Sequence, residues 1–171
     1  LLHAVNAKTG AEKWSLLVEE AMPTLAAVRN NLAGQHLTLA DGATSAWVYD
    51  ANGDGIVGNS AGEKALLYFG LRRGGRAYYA LDVTDINAPR FMWKVTNTTR
   101  CIGVSCSAST DFAELGYTWS TPSLLRSHAI ADPSVPIVVF GGGYDGNQDN
   151  LAVAAADSMG RGVYFVKGDD S

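Results

Sequence analysis

The sequence predicts an all-β protein that forms part of a β-propeller with inserted loops. Three observations carry that expectation. Nineteen glycines and many Asn, Ser and Thr imply frequent turns. Short apolar runs are bounded by those turn residues, as strands are. A strand, a polar turn and a return strand bearing a tryptophan recur along the chain.

Composition bounds the rest. The chain has 171 residues, 47% apolar and 18% charged, which suits a folded domain with a real core. The formal net charge is −4 and there is no basic run, so nucleic-acid binding is not expected. No apolar stretch approaches the roughly 20 residues that span a bilayer. Leu1 is not a start methionine, and both ends read as strands. The expectation is therefore a fragment, 1–171, of a single propeller domain cut mid-blade at both ends.

Leu1 to Leu17 reads as a strand, a turn and a strand, with Asn6 to Gly10 as the turn and Trp14 on the return strand. Glu19 to Asn31 fits a short helix or irregular turn with Pro23 near its start. Gln35 to Ala40 alternates like a half-buried strand, and Ala46 to Tyr49 is another short strand. Ala65 to Gly70 is an apolar run and reads as a fully buried strand. Arg72-Arg73-Gly74-Gly75-Arg76 is a tight turn, open to two readings: an anion grip, or a charged turn held by salt bridges. Strands follow at Ala77 to Val83 and Phe91 to Val95. Gly116 to Leu125 reads as an inner strand and Pro136 to Gly143 as a second buried one.

Leu2 to Asn6 followed by Trp14 matches Tyr78 to Asp82 followed by Trp93, and Val163 to Lys167 begins a third copy. The copies start 76 and 85 residues apart, more than the roughly 40–50 residues of a simple blade, so insertions are expected. A blade then reads as inner strand, buried strand, repeat strand and tryptophan strand. Four-stranded blades around an axis make a propeller.

One insertion carries metal chemistry. Asp50-Ala51-Asn52-Gly53-Asp54-Gly55-Ile56 has the D-x-[DN]-x-[DN]-G spacing of a calcium loop. Alternate side chains point inward, the glycine permits the sharp turn, and Ile56 offers its carbonyl. The position of the closing glutamate holds Ala61, so Asn59, Glu63 or water would complete the shell of Ca2+. The bland alternative is an Asp/Asn/Gly turn. Three donors in register plus the glycine exceed what a turn needs. Asp145, Asn147 and Asp149 repeat the spacing without the glycine, with Asp157 a distant partner, and read more readily as a turn. Cys101 and Cys106 enclose four residues inside a polar loop; the readings are two free thiols or a small local disulfide from an oxidising compartment. His3, His36 and His128 lie in separate contexts and form no catalytic set.

Ala65 to Val83, with Leu71 to Arg76 and Tyr79-Ala80-Leu81-Asp82, resembles the C-terminal propeller of the PilY/PilC family, and Leu115 to Pro122 and Phe140-Gly141-Gly142-Gly143-Tyr144 resemble two further family segments. These are type IV pilus tip-associated biogenesis proteins and adhesins. The opening Leu2-His3-Ala4 through Thr9-Gly10 and Trp14 is similar too, though quinoprotein-like propellers share it. The resemblance implies a modified seven-bladed propeller, of which this would be two to three blades, and a calcium loop at Asp50, Asn52, Asp54 and Ile56. The family loop usually carries a further Asp where Gly58 stands here. It also implies an exported, non-enzymatic protein of the outer membrane, pilus tip or extracellular space. Calcium occupancy would be linked to pilus extension and retraction, twitching motility and surface attachment. Pilins, other pilus-tip components or a host-surface ligand would be its partners. The other readings are a quinoprotein-type dehydrogenase propeller, which lacks the adjacent cysteine pair of many such enzymes here, and an envelope scaffold without metal.

Overall fold

A computed structural model describes residues 1–30, 37–58, 61–149, 152 and 155–169. Strands β1 (Leu2–Val5) and β2 (Glu12–Leu16) form an antiparallel hairpin. Asn6 shapes its turn: the side-chain oxygen accepts from the amides of Lys8 (2.9 Å) and Thr9 (3.1 Å). Gly10 takes a φ of 72°, a left-handed conformation that costs glycine little. A 3-10 turn, Glu19–Thr24, and a short helix α1, Leu25–Asn30, follow.

The central sheet has six antiparallel strands in chain order. They are β3 (Thr44–Tyr49), β4 (Lys64–Gly70), β5 (Ala77–Asp82), β6 (Arg90–Thr96), β7 (Thr99–Ile102) and β8 (Ser105–Ala108). A third sheet pairs β9 (Ser123–Leu125) with β10 (Ile137–Gly141) and β10 with β11 (Val163–Lys167). The chain is thus mostly β-structure in three open sheets, and no described helix is long and apolar enough to cross a membrane.

Three sequence expectations need correction. No strand forms over the described residues 37–40 of the stretch expected from Gln35 to Ala40; 35 and 36 lie outside the described residues. That segment instead crosses the end of the arginine turn. A Cβ on Gly74 would sit 1.7 Å from the Leu39 carbonyl oxygen, and Asp41 N–H donates to Leu71 O. The inner strand expected from Gly116 shrinks to β9. Tyr117 and Thr118 make only single bridges, to Tyr144 and Arg72, and Pro122 has no amide to give a ladder. The cysteine segment, expected as a loop, is the β7–β8 hairpin.

Register confirms the internal repeat. In β1–β2, Ala4 lies opposite Trp14; in β5–β6, Ala80 lies opposite Trp93. A bulge follows directly in both hairpins, between Ala4 and Val5 and between Ala80 and Leu81. The equivalence extends to the third sheet: Phe69–Gly70 pair with Tyr79 and Tyr78 as Phe140–Gly141 pair with Tyr164 and Val163.

Packing repeats with the register. One face of the central sheet presents Leu67, Phe69, Tyr79 and Leu81 to Leu2, Trp14 and Leu16 of the first. Its other face presents Leu66, Tyr68, Tyr78 and Ala80 to Leu124, Val138, Phe140, Tyr164 and Val166 of the third. Because both faces are covered, β4 and β5 read as continuous apolar runs rather than alternating ones. Indole N–H groups tie successive sheets: Trp14 donates to Ile86 O (3.0 Å) and Trp93 to Gly168 O (3.2 Å). The outer face of the third sheet, with Val163 at 64% and Phe165 at 69% exposure, corresponds to the covered Tyr78 and Ala80 face of the central one.

Candidate calcium loop

The connection between β3 and β4 is built around Asp50. Tyr49 and Lys64 are the last paired residues of the two strands, so residues 50–63 are the whole connection. The Asp50 carboxylate accepts from Gly53 N–H at 2.7 Å and from Gly55 N–H at 2.8 Å. Asn52 Oδ1 accepts from Asp54 N–H (2.9 Å), and Asp54 Oδ1 accepts from Ile56 N–H (2.7 Å). Asn52 Nδ2 donates to Asp54 Oδ2 at 3.0 Å. Gly53 and Gly55 adopt φ of 74° and 80°, the left-handed turns that curl the backbone around these side chains. The Gly55 amide is the main cause that holds the Asp50 carboxyl below its ordinary range, and the Gly53 amide adds to it.

The donor set suits a hard cation: two carboxylates and an amide, all oxygen donors, brought onto one small loop. An ionised carboxylate has about four lone-pair sites, so Asp50 keeps acceptor capacity after taking two amides. Ile56 turns its side chain to solvent, as a residue offering only its carbonyl would. Among the described residues, no three His, Cys, Asp or Glu side chains converge. Asn59 lies outside the described residues. Glu63 is buried, and its Oε2 accepts from Gly58 N–H at 3.0 Å, so it ties the far end of the loop to the foot of β4. Nearby, Thr84 Oγ1 accepts from Ala65 N–H (3.0 Å).

The second D-x-N-x-D segment spends its side chains on its own loop. Asp145 is buried and accepts from Ser158 Oγ (2.7 Å), Ser158 N–H (2.6 Å), Met159 N–H (3.2 Å) and Asn147 N–H (3.1 Å). These bonds, that of the Ser158 hydroxyl first, hold its carboxyl down to about 2. Asn147 Nδ2 donates instead to Ala156 O, Asp149 accepts from the Tyr144 hydroxyl, and Asp157 accepts from Gln148 Nε2. The three side chains go to three different partners.

Cys101 and Cys106 lie directly opposite across the β7–β8 hairpin and are joined as a disulfide. Of the histidines, His3 is exposed and pairs with Glu12, His128 is exposed in a loop, and His36 lies outside the described residues.

One cluster went unnoticed in the sequence. Lys94, buried in β6, is held by Glu19 and Glu20, and Glu20 also accepts from the Tyr79 hydroxyl. Burial pulls the Lys94 ammonium down, but the hydrogen bond to Glu19 and the Glu20 charge outweigh it and keep the group above its ordinary value. A lysine inside the apolar run Phe91 to Val95, with two adjacent glutamates elsewhere in the chain, was the available signal. The arginine turn was noticed, as either an anion grip or a charged turn held by salt bridges. The guanidiniums of Arg72 and Arg73 lie 5.5 and 5.6 Å from the Trp119 ring centre, and that of Arg76 lies 5.1 Å from Tyr117.

No protein-family model matches the chain. It is 29% identical over 150 residues to a type IV pilus biogenesis factor PilY1 homolog of Xylella fastidiosa, covering 88% of this chain and 10% of that protein. It is 31% identical over 160 residues to type IV pilus biogenesis factor PilY1 of Pseudomonas aeruginosa, covering 92% of this chain and 12% of that protein. The chain therefore spans about a tenth of the length of these relatives. The crystal structure of the Pseudomonas aeruginosa PilY1 C-terminal domain aligns with a TM-score of 0.49 at 23% identity, over 83% of this chain and 23% of that one.

Proposed function

We infer that this chain, which belongs to the PilY1 family of type IV pilus biogenesis factors, is a calcium-binding part of a β-propeller that serves the pilus without catalysis. The observation that carries the calcium reading is the loop itself. Asp50, Asn52 and Asp54 occupy alternate positions on a backbone already curled by two left-handed glycines. Successive sheets that stack through equivalent faces, each linked to the next by a tryptophan, support the propeller reading.

Bound calcium would supply a divalent charge that offsets the mutual repulsion of the Asp50 and Asp54 carboxylates. The chain's own residues do the rest. Asp50 orders the first half of the connection through Gly53 and Gly55, and Glu63 anchors the second half at Gly58. Asn59, Glu63 or water would complete the shell. A loop ordered in this way fixes the surface that the β3–β4 edge offers to pilins, other pilus-tip components or a host-surface ligand. Through that surface the protein would act in pilus extension and retraction, twitching motility and attachment, at the outer membrane, the pilus tip or outside the cell. The Cys101–Cys106 disulfide suits such an oxidising location.

The test is a calorimetric calcium titration of wild type against Asp50→Ala/Asp54→Ala, followed by motility of cells carrying the same substitutions in the parent protein. Saturable binding abolished by the substitutions, with altered motility, supports the reading. A wild-type protein that takes up no calcium would leave a bare turn and a metal-free scaffold.

A further inference from the structure

The arginine turn between β4 and β5 is built with unusual stringency for a surface turn. Arg72 has a φ of 52°, the only left-handed non-glycine among the described residues. Such conformations are costly and persist where the surroundings impose them. Here Thr118 imposes it. Its carbonyl accepts from Arg72 N–H (3.2 Å), its hydroxyl accepts from Leu71 N–H (2.7 Å), and the hydroxyl proton faces the carbonyls of Gly75 and Ala77 (3.2 Å each).

The result is three guanidiniums spread over two aromatic rings, Trp119 and Tyr117. The ion pairs of the described residues use Lys64, Arg90, Lys94, Arg161 and Lys167; none uses Arg72, Arg73 or Arg76. In a chain of net charge −4 this sets three positive charges on one turn, with the Asp149 carboxylate lining the adjacent cleft. The Nε of Arg72 is buried and has no hydrogen-bond partner, a donor that is costly to leave without one. A cleft beside the turn is lined by Leu37, Thr38, Arg73, Tyr117, Tyr144 and Asp149. Its volume, about 230 Å³, suits one side chain rather than a folded domain.

We propose that Arg72, Arg73 and Arg76, set over Trp119 and Tyr117, bind the carboxylates of an acidic peptide segment of a partner protein. The rings lie within cation–π reach and help hold each cation in place, and a guanidinium fork can meet a carboxylate in a bidentate manner. Asp149, which lines the same cleft as Arg73, favours a peptide over a uniformly charged polyanion. A peptide can place a neutral residue beside that carboxylate, whereas a sulfated polymer meets it with another negative charge. Trp119, 40% exposed, offers the apolar surface that the stems of Glu side chains would cover.

The experiment is fluorescence anisotropy of a labelled octapeptide of alternating Glu and Ala, run in EDTA and again in calcium. Running both conditions separates this site from the calcium loop. The expected result is saturable binding in EDTA that weakens as salt rises from about 50 to about 500 mM, as screening requires. Arg73→Gln/Arg76→Gln should weaken it at least about tenfold, the loss expected on removing charged hydrogen bonds. Should that double variant fail to fold, Trp119→Leu, which keeps every charge, must also weaken binding. Peptide binding that is absent in EDTA, or unchanged in the folded variants, overturns the proposal, as does binding of dextran sulfate with none of the peptide.

Discussion

Removal of Asp50 should separate the metal from the fold. In Asp50→Ala the amides of Gly53 and Gly55 lose their acceptor, but both residues are exposed, so water replaces it and the folded state without calcium changes little. The effect should appear only with the metal. Two carboxylates and one amide argue for the weak end of calcium sites, a Kd of about 10⁻⁴ to 10⁻³ M. At about 5 mM calcium, linkage then stabilises the wild-type fold by about 1–2.3 kcal/mol. For a chain of this size, that is an upward shift in Tm of about 2–9 °C. Differential scanning fluorimetry of both proteins, in EDTA and in calcium, reads it directly. The wild type should shift and Asp50→Ala should not, with their EDTA midpoints close together. Equal calcium shifts in the two proteins would refute the assignment. A large drop in the EDTA midpoint of the variant would refute the claim that water replaces the carboxylate.

Three other outcomes are expected. Phe140→Ala removes a ring that is 1% exposed and packed 3.9 Å from the Tyr78 ring centre, between the second and third sheets. It should cost about 3–5 kcal/mol, read as a fall in the urea midpoint, whereas Phe140→Leu should cost far less. Asp145, held down to about 2, contributes stability that is complete above its unfolded value near 4 and is lost as pH falls from there toward 2. Amide exchange at Ser158 and Met159 should accelerate over that window in the wild type, and Asp145→Asn should flatten the dependence. Cys101→Ser/Cys106→Ser opens a ring spanning five positions and should lower stability by no more than about 2 kcal/mol, seen as a small shift in the denaturant midpoint.

The β4 and β5 strands were legible because packing on both sides left no polar residue among Leu66 to Phe69 and Tyr78 to Leu81. The curled loop of Asp50, Asn52 and Asp54 was legible because these residues are near neighbours in sequence, so spacing alone brings them together. Strands β7 and β8 were not, since Thr, Ser and Cys carry little hydrophobic pattern and β8 is exposed throughout. The segment from Gly116 misled for the opposite reason. Tyr117, Thr118 and Trp119 look like a strand, but their hydrogen bonds go to Tyr144, Gly75 and the arginine turn. The rings beneath Arg72 and Arg76 lie over 40 residues downstream, and no local pattern encodes such a partnership. The salt bridges of Lys94 hid for the same reason, with partners 74 and 75 residues upstream.

The tryptophan hydrogen bonds also carry a direction in time. Trp14 bonds a carbonyl 72 residues later in the chain, and Trp93 one 75 residues later. At a synthesis rate of about 5–20 residues per second, each indole waits about 4–15 s for its acceptor to be made. The β1–β2 and β5–β6 hairpins therefore emerge with an apolar face that the following unit closes. A stall between units leaves a waiting tryptophan exposed, whereas a stall within a unit leaves a hairpin half paired.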